Sequence, residues 1–282
     1  MNQSAWSADG SAVSAGTFLT GSSLSAARYA EPFRRTLDAR SAAWEYKTQV
    51  FGDDVAMIRR TKRTIKRSLP SKTCMTERDL WIVEALGKMK FSTTSQLAKL
   101  FFAGPRWPAN KRLRKLLDAG LVRAWVTSLS EDNVYSIARS GLAAAEERGV
   151  KFNSYAKVPH GLDENLDHLL AINDMRVCLG IGLADIGASI AWWLSDWELR
   201  SHGRERIIPD GLFLINWQGL GEQTYALEVD NNTRSSRNFM KKILAYASLQ
   251  TRGKGIYGVM DPIILVAGAD RKWLERYRAS IK

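Results

Sequence analysis

Ile207-Ile208-Pro209-Asp210-Gly211 and, beyond a turn-bearing stretch, Leu227-Glu228-Val229-Asp230 are the two runs that decide how this chain reads. Side chains alternate between the faces of a strand, so Glu228 and Asp230 point one way while Leu227 and Val229 point the other. Pro209 sets Asp210 at the opening of the strand before. Three carboxylates at the ends of two neighbouring strands form the hard-oxygen set that Mg²⁺ or Mn²⁺ prefers. With Asp210, Glu228 and Asp230 as metal ligands in a basic chain, the expected partner is a nucleic-acid backbone. The outline is that of a metal-dependent nuclease.

Composition supports the partner and narrows the class. The 282 residues carry a formal charge of +12, with a pI near 9.8, and 45% of them are hydrophobic. That charge favours a polyanion, and the length and apolar content allow two modest cores. The apolar stretch from Leu179 to Leu194 is interrupted by Gly180, Gly182, Asp185 and Gly187, so no membrane span is expected. Met1 to Gly10 lack the basic-then-apolar order of a secretory leader. Cys74 and Cys178 are too far apart for a zinc site and read as reduced thiols of a cytoplasmic protein. His160, His168 and His202 do not form a His-x-His metal motif, and no phosphate loop ending in Gly-Lys-Ser/Thr is present. Gly180, Gly182 and Gly187 lack dinucleotide-binding spacing.

Three segments follow from pattern and punctuation. Residues 1–68 read as an arm: a Ser-, Ala- and Gly-rich tail to about residue 30, then a basic run ending at Leu69-Pro70. Arg59, Arg60, Lys62 and Arg63 in that run are candidates to neutralise phosphates. Residues 69–152 read as a winged helix. Thr76, with Asp79 three residues on, caps a first helix, and Leu80, Ile82, Val83 and Leu86 form its apolar face. A second helix is expected from Ser92, and a third from about Asn110 to the stop at Gly120. Residues 123–126 and 134–137 alternate as two strands joined by a polar wing, and a closing helix runs from Ser140 to Gly149. In this reading Arg106, Asn110, Lys111, Arg112, Arg114 and Lys115 are candidate contacts to double-stranded DNA, with Arg123 beside them. "LRKLLDAGLVRAW" (113–125) and "VYSIARSGLAAAEE" (134–147) carry a likeness. The order resembles the winged helix-turn-helix domain of bacterial regulators.

Residues 160–282 read as an α/β sheet domain, which makes the chain α+β overall. The pattern predicts a helix over 165–183, then strands over 190–199, 206–215 and 224–229, with a turn at Gly219-Leu220-Gly221. A helix over 235–250, a strand within 256–267 and a last helix over 271–281 follow. Trp192, Trp193 and Trp197 fall on one expected strand as core and sheet-face residues.

This order, with "PD" on one strand and a carboxylate pair on the next, resembles the restriction-endonuclease-like superfamily and its PD-(D/E)xK pattern. The resemblance implies Asp210 and Glu228 as metal ligands and a Lys two residues beyond Glu228. Asp230 stands there instead. Either Lys241 or Lys242 on the next helix supplies the missing cation, or Asp230 serves as a third ligand or base. "PDGLFLI" (209–215) and "YALEVDNNTRSSRNFMKKILAY" (225–246), behind "DHLLAINDMRVCL" (167–179), are similar to the replication-relaxation family of plasmids and integrative elements. They also resemble the C-class mobilisation relaxases. The pattern there is PD, ExD, Thr233 and a Lys242-x-x-x-Tyr246 helix. That likeness implies catalytic roles for Asp210, Glu228, Asp230 and Lys242, and auxiliary roles for His168 and Asp174. It implies Mg²⁺ or Mn²⁺ if the protein nicks DNA, and other mobilisation or replication proteins, or a second copy, as partners. The alternative is a non-catalytic regulator whose second domain dimerises or recruits a partner.

Overall fold

The structure, a computed structural model, describes residues 63–66, 74–127, 132–152, 158–162, 165–203, 205, 207–230 and 236–268. The expected tail, Arg59, Arg60, Lys62, the expected wing tip at 128–131, Thr233 and the last expected helix lie outside the described residues. The fold is α+β, built on two four-stranded sheets.

In the first half, β1 (Arg63–Thr64), α1 (Glu77–Met89), β2 (Ser92–Thr93), α2 (Thr94–Phe101) and α3 (Arg106–Asp118) come in turn. They are followed by β3 (Val122–Val126), β4 (Val134–Ile137) and α4 (Arg139–Glu146). The strands pair antiparallel in the order β1-β3-β4-β2, and β1 takes in Arg63 by its backbone, opposite Val126. Local chemistry sets the helix ends. Thr76 and Asp79 form a reciprocal capping box on α1, and Thr93 and Gln96 form another on α2. Because Thr93 is the cap, the second helix starts at Thr94, and Ser92–Thr93 forms a short strand in place of the expected first turn. The third helix starts at Arg106, directly after Pro105, earlier than its apolar spacing indicated. It stops at Gly120, whose φ of 77° suits glycine, with Gly120 N–H donating to Leu117 O and Leu121 N–H to Leu116 O. Ile82, Leu86, Leu97, Leu113 and Leu116 are fully buried in the core between the helices.

The second half contains α5 (Leu166–Asp185), β5 (Ala188–Ser195), α6 (Asp196–His202), β6 (Gly211–Trp217), β7 (Gly221–Asp230), α7 (Ser236–Thr251) and β8 (Ile263–Gly268). Its sheet is mixed, in the order β5-β6-β7-β8, with only β8 parallel to its neighbour. The parallel pair needs a crossover, which α7 supplies. The strand expected to run to Leu199 ends at Ser195, whose N–H donates to the Glu198 carboxylate at 2.8 Å. That bond opens α6, so Trp197 lies on a helix and not beside Trp192 and Trp193. The next strand begins at Gly211, later than expected, where pairing with Ser195 begins. A side chain at Gly211 would meet the Trp193 ring at 2.7 Å, so only glycine lets that indole pack beneath the strand opening.

Helices cover both faces of this sheet. On one side Ile172 and Leu183 of α5 pack on Phe213, Leu227 and Val229; on the other Tyr246 of α7 packs on Leu212 and Ala226. Helix α5 is apolar on two sides. Leu166 and Leu169 pack with Phe91, Trp125 and Val134 of the first half, and Val177 joins that half's main core. Between them Asn173, buried, donates from Nδ2 to Met89 O at 3.0 Å and Phe91 O at 2.7 Å, while Gln96 Nε2 donates to Leu170 O at 2.9 Å. Positions 166, 169, 173 and 177 form one stripe at helical spacing, and 168, 172, 175 and 179 form the other. The second stripe carries His168 toward the sheet.

Candidate functional site: a buried carboxylate cluster and an exposed basic helix

Strand β7 outruns its neighbour. Pairing with β6 ends at Gly211 opposite Leu227, leaving Glu228, Val229 and Asp230 with β8 alone. Asp210 fills that gap. Its N–H donates to Leu227 O at 2.9 Å, and its Oδ2 accepts the Val229 N–H at 2.8 Å in place of a strand partner. The same bond holds the Asp210 carboxyl beside Glu228, one residue before Val229.

Glu228 is only 1% exposed, and both of its oxygens are engaged from α7. Lys242 Nζ donates to Oε2 at 2.5 Å and Tyr246 Oη to Oε1 at 2.5 Å. Lysine and tyrosine four residues apart lie on one face of a helix, so the geometry selects Lys242, while Lys241 is exposed. From the opposite helix, His168 Nε2 stands 3.3 Å from Asp210 Oδ1, within ion-pair reach. The protein thus brings Asp210, Glu228, Lys242 and His168 together. Asp230 is buried further along the same strand, in register with Gly268. Asp174 is exposed: six residues of helix rotate it about 120° from the face that carries His168.

The electrostatics are divided. Burial and the neighbouring Asp210 charge push Glu228 up to about 7, against the opposing pull of Lys242 and Tyr246. Burial would raise Asp210 too, but contact with His168, the charge of Lys242 and the Val229 N–H together hold it below the usual carboxylate range. Burial and the Glu228 carboxylate raise Tyr246, which therefore stays a proton donor.

The expected metal trio is not assembled. Among the described residues no group of three or more His, Cys, Asp or Glu side chains is placed to hold a metal ion. Successive same-face residues of a strand lie roughly 6.6 Å apart, which sets Asp230 away from the shared point between Asp210 and Glu228. Both Glu228 oxygens and Asp210 Oδ2 already accept hydrogen bonds. Lys242 supplies a positive charge directly beside the pair.

The basic candidates also sort themselves. Arg112 turns inward, its Nε donating to Asp79 Oδ1 at 2.6 Å and its Nη2 pairing with Asp79 Oδ2. Arg114 binds Asp118 at 3.1 Å, and Arg123 donates to Pro159 O at 2.8 Å. Arg106 pairs with Asp132, at the foot of the β3–β4 hairpin, and still remains exposed. Asn110, Lys111 and Lys115 are exposed on α3, opposite the buried Ala109, Leu113, Leu116 and Leu117. Four of the seven positions proposed around the third helix therefore make ion pairs or hydrogen bonds within the protein itself, and of these only Arg106 is also exposed.

Two functional contacts escaped the sequence reading. Tyr246 stood in the motif, but nothing marked it as the second donor to Glu228. Asn173 had no apparent task, although a polar residue amid an apolar helix calls for hydrogen-bond partners. No described helix is long and apolar enough to cross a membrane. A family model described as replication-relaxation matches residues 83–261, a span that takes in α3 and the whole carboxylate cluster. No curated protein and no solved structure matches the chain.

Proposed function

The chain belongs to the replication-relaxation family, and with it to plasmid or mobile-element replication and mobilisation; from that premise we propose a DNA-binding factor whose nuclease-like site is held shut by its own lysine. In this reading the first half is a winged helix that lays α3 on duplex DNA. The observation that carries it is the exposed face of α3, where Arg106, Asn110, Lys111 and Lys115 stand clear of the buried stripe. Phosphate contacts of this kind position a protein on DNA without reading its sequence. The second sheet then serves as a gripping and partner-recruiting unit, with other replication or mobilisation proteins as the partners.

A second reading, nicking in the presence of Mg²⁺ or Mn²⁺, is favoured by one observation: Asp210, Glu228 and Lys242 converge although they come from the residue before β6, from β7 and from α7. One experiment separates the two. Supercoiled plasmid carrying the protein's own locus is incubated with the protein and either metal, or with EDTA, with Asp210→Asn run alongside. Intact supercoils, with a mobility shift that EDTA does not abolish, are the expected result. Metal-dependent open circles that Asp210→Asn abolishes would establish the second reading instead.

The sorting of cations predicts a further contrast. Lys115→Ala is expected to weaken binding to all sequences alike and to reduce the salt slope of log K by about one. Arg112→Ala is expected to lower the melting temperature and leave that slope unchanged, because its guanidinium is committed to Asp79. Titrations at several salt concentrations check both, and equal slope changes would overturn the sorting.

A further inference from the structure

Trp107 is the second residue of α3 and is 72% exposed; every other described tryptophan is buried or half-buried. One face of its ring carries the Lys111 ammonium, 5.1 Å from the centroid. The platform beneath is fixed. Arg106, next in sequence, is anchored on Asp132, which also accepts the Ser95 N–H at 3.0 Å and so ties the start of α3 to α2 and the hairpin.

An indole offers a single donor and cannot match the donor–acceptor code of a base edge. It can stack on a base, whatever that base is. In closed duplex the base faces are covered by their neighbours, so such a ring finds its complement only where a base is unstacked. Lys111 and Lys115, one and two turns along the helix, are placed to take the adjoining phosphates. This combination of aromatic face and flanking cations matches a nucleotide better than an apolar peptide.

We infer that α3 carries a stacking site for an unpaired base, so that the protein prefers opened or single-stranded DNA to closed duplex; this rests on the DNA-binding reading above. The full chain is titrated into a labelled single strand, the matching duplex, and the same duplex with a short unpaired bubble. Wild type, Trp107→Ala and Trp107→Phe are compared by fluorescence anisotropy. Trp107→Ala is expected to lose about tenfold in affinity for the single strand and the bubble, and less than about twofold for the duplex. Trp107→Phe should keep most of the wild-type preference. An equal loss on all three DNAs, or no loss on any, would overturn the inference while leaving DNA binding in place. Wild type that binds none of them would overturn the DNA-binding reading itself. A Trp107→Ala protein that binds DNA normally but changes from dimer to monomer on sizing would assign the ring to a second copy instead.

Discussion

Lys242→Met is expected to lower the free energy of unfolding by about 3–5 kcal/mol at about pH 8, and by far less at about pH 5. The substitution removes the one cation bonded to Glu228 among the described residues and leaves that carboxyl buried beside Asp210. In mild acid Glu228 takes a proton, and the loss of Lys242 then strands no charge. Glu228 already has its pKa raised from 4.5 to about 7, so its native form holds the proton more tightly than the unfolded chain does. Its stabilising contribution is complete below 4.5 and is lost as pH rises through about 7. Across that window the loss is about 3 kcal/mol, and Glu228→Gln is expected to abolish it. Asp210, held low, has the opposite slope: its contribution is present above 3.8 and fades as pH falls through its folded value. Stability of the wild type should therefore peak in mild acid. Urea unfolding at the two pH values checks this, and Lys242→Met with Glu228→Gln should recover most of the loss. A cost under about 1 kcal/mol, or one equal at both pH values, would mean the ion pair does not hold the cluster together.

Asp79→Ala is expected to cost about 2–4 kcal/mol, because one buried carboxylate serves two helices. Asp79 accepts the Thr76 N–H and hydroxyl at 2.7 Å each, completing the cap of α1, and also holds the Arg112 guanidinium of α3. Burial would raise its pKa, but the bonds from Arg112 and Thr76 more than offset this and lower it. Its contribution is thus present above 3.8 and disappears only as pH falls through that lowered value. Asp79→Asn, which keeps an acceptor for the cap, should lose less. Calorimetric melting of both variants at neutral pH checks the ranking. An alanine variant no less stable than the asparagine one would remove the ion pair from the account.

What the sequence made legible followed from short-range chemistry. Thr76 with Asp79, the apolar face of α3 and the shared face of Glu228 and Asp230 all depend on residues within a few positions of one another. The signal for α6 was present as well, in Ser195-x-x-Glu198, but the apolar run through Leu199 hid it under a strand pattern. Longer-range choices were not legible. Arg112 and Lys115 are alike in sequence, and only packing against α1 turns the first inward. Lys241 and Lys242 were equivalent until α7 was set on the sheet. The lysine beside the carboxylates was hidden for a related reason: alternation puts carboxylates on one face, but it does not bring their oxygens to one point or keep a lysine away.

Helix α5 has a consequence for how such a protein can be inherited. Its two stripes belong to different cores, and the buried Asn173 amide completes the last turn of a helix that comes far earlier in the chain. A gene fusion that borrowed the first half alone would leave the Met89 and Phe91 carbonyls unanswered. One that borrowed the second half would carry Leu166 and Leu169 bare into solvent. Recombination between residues 152 and 160, where the two expected segments meet, therefore yields two damaged pieces, and the halves are transmissible only as a pair.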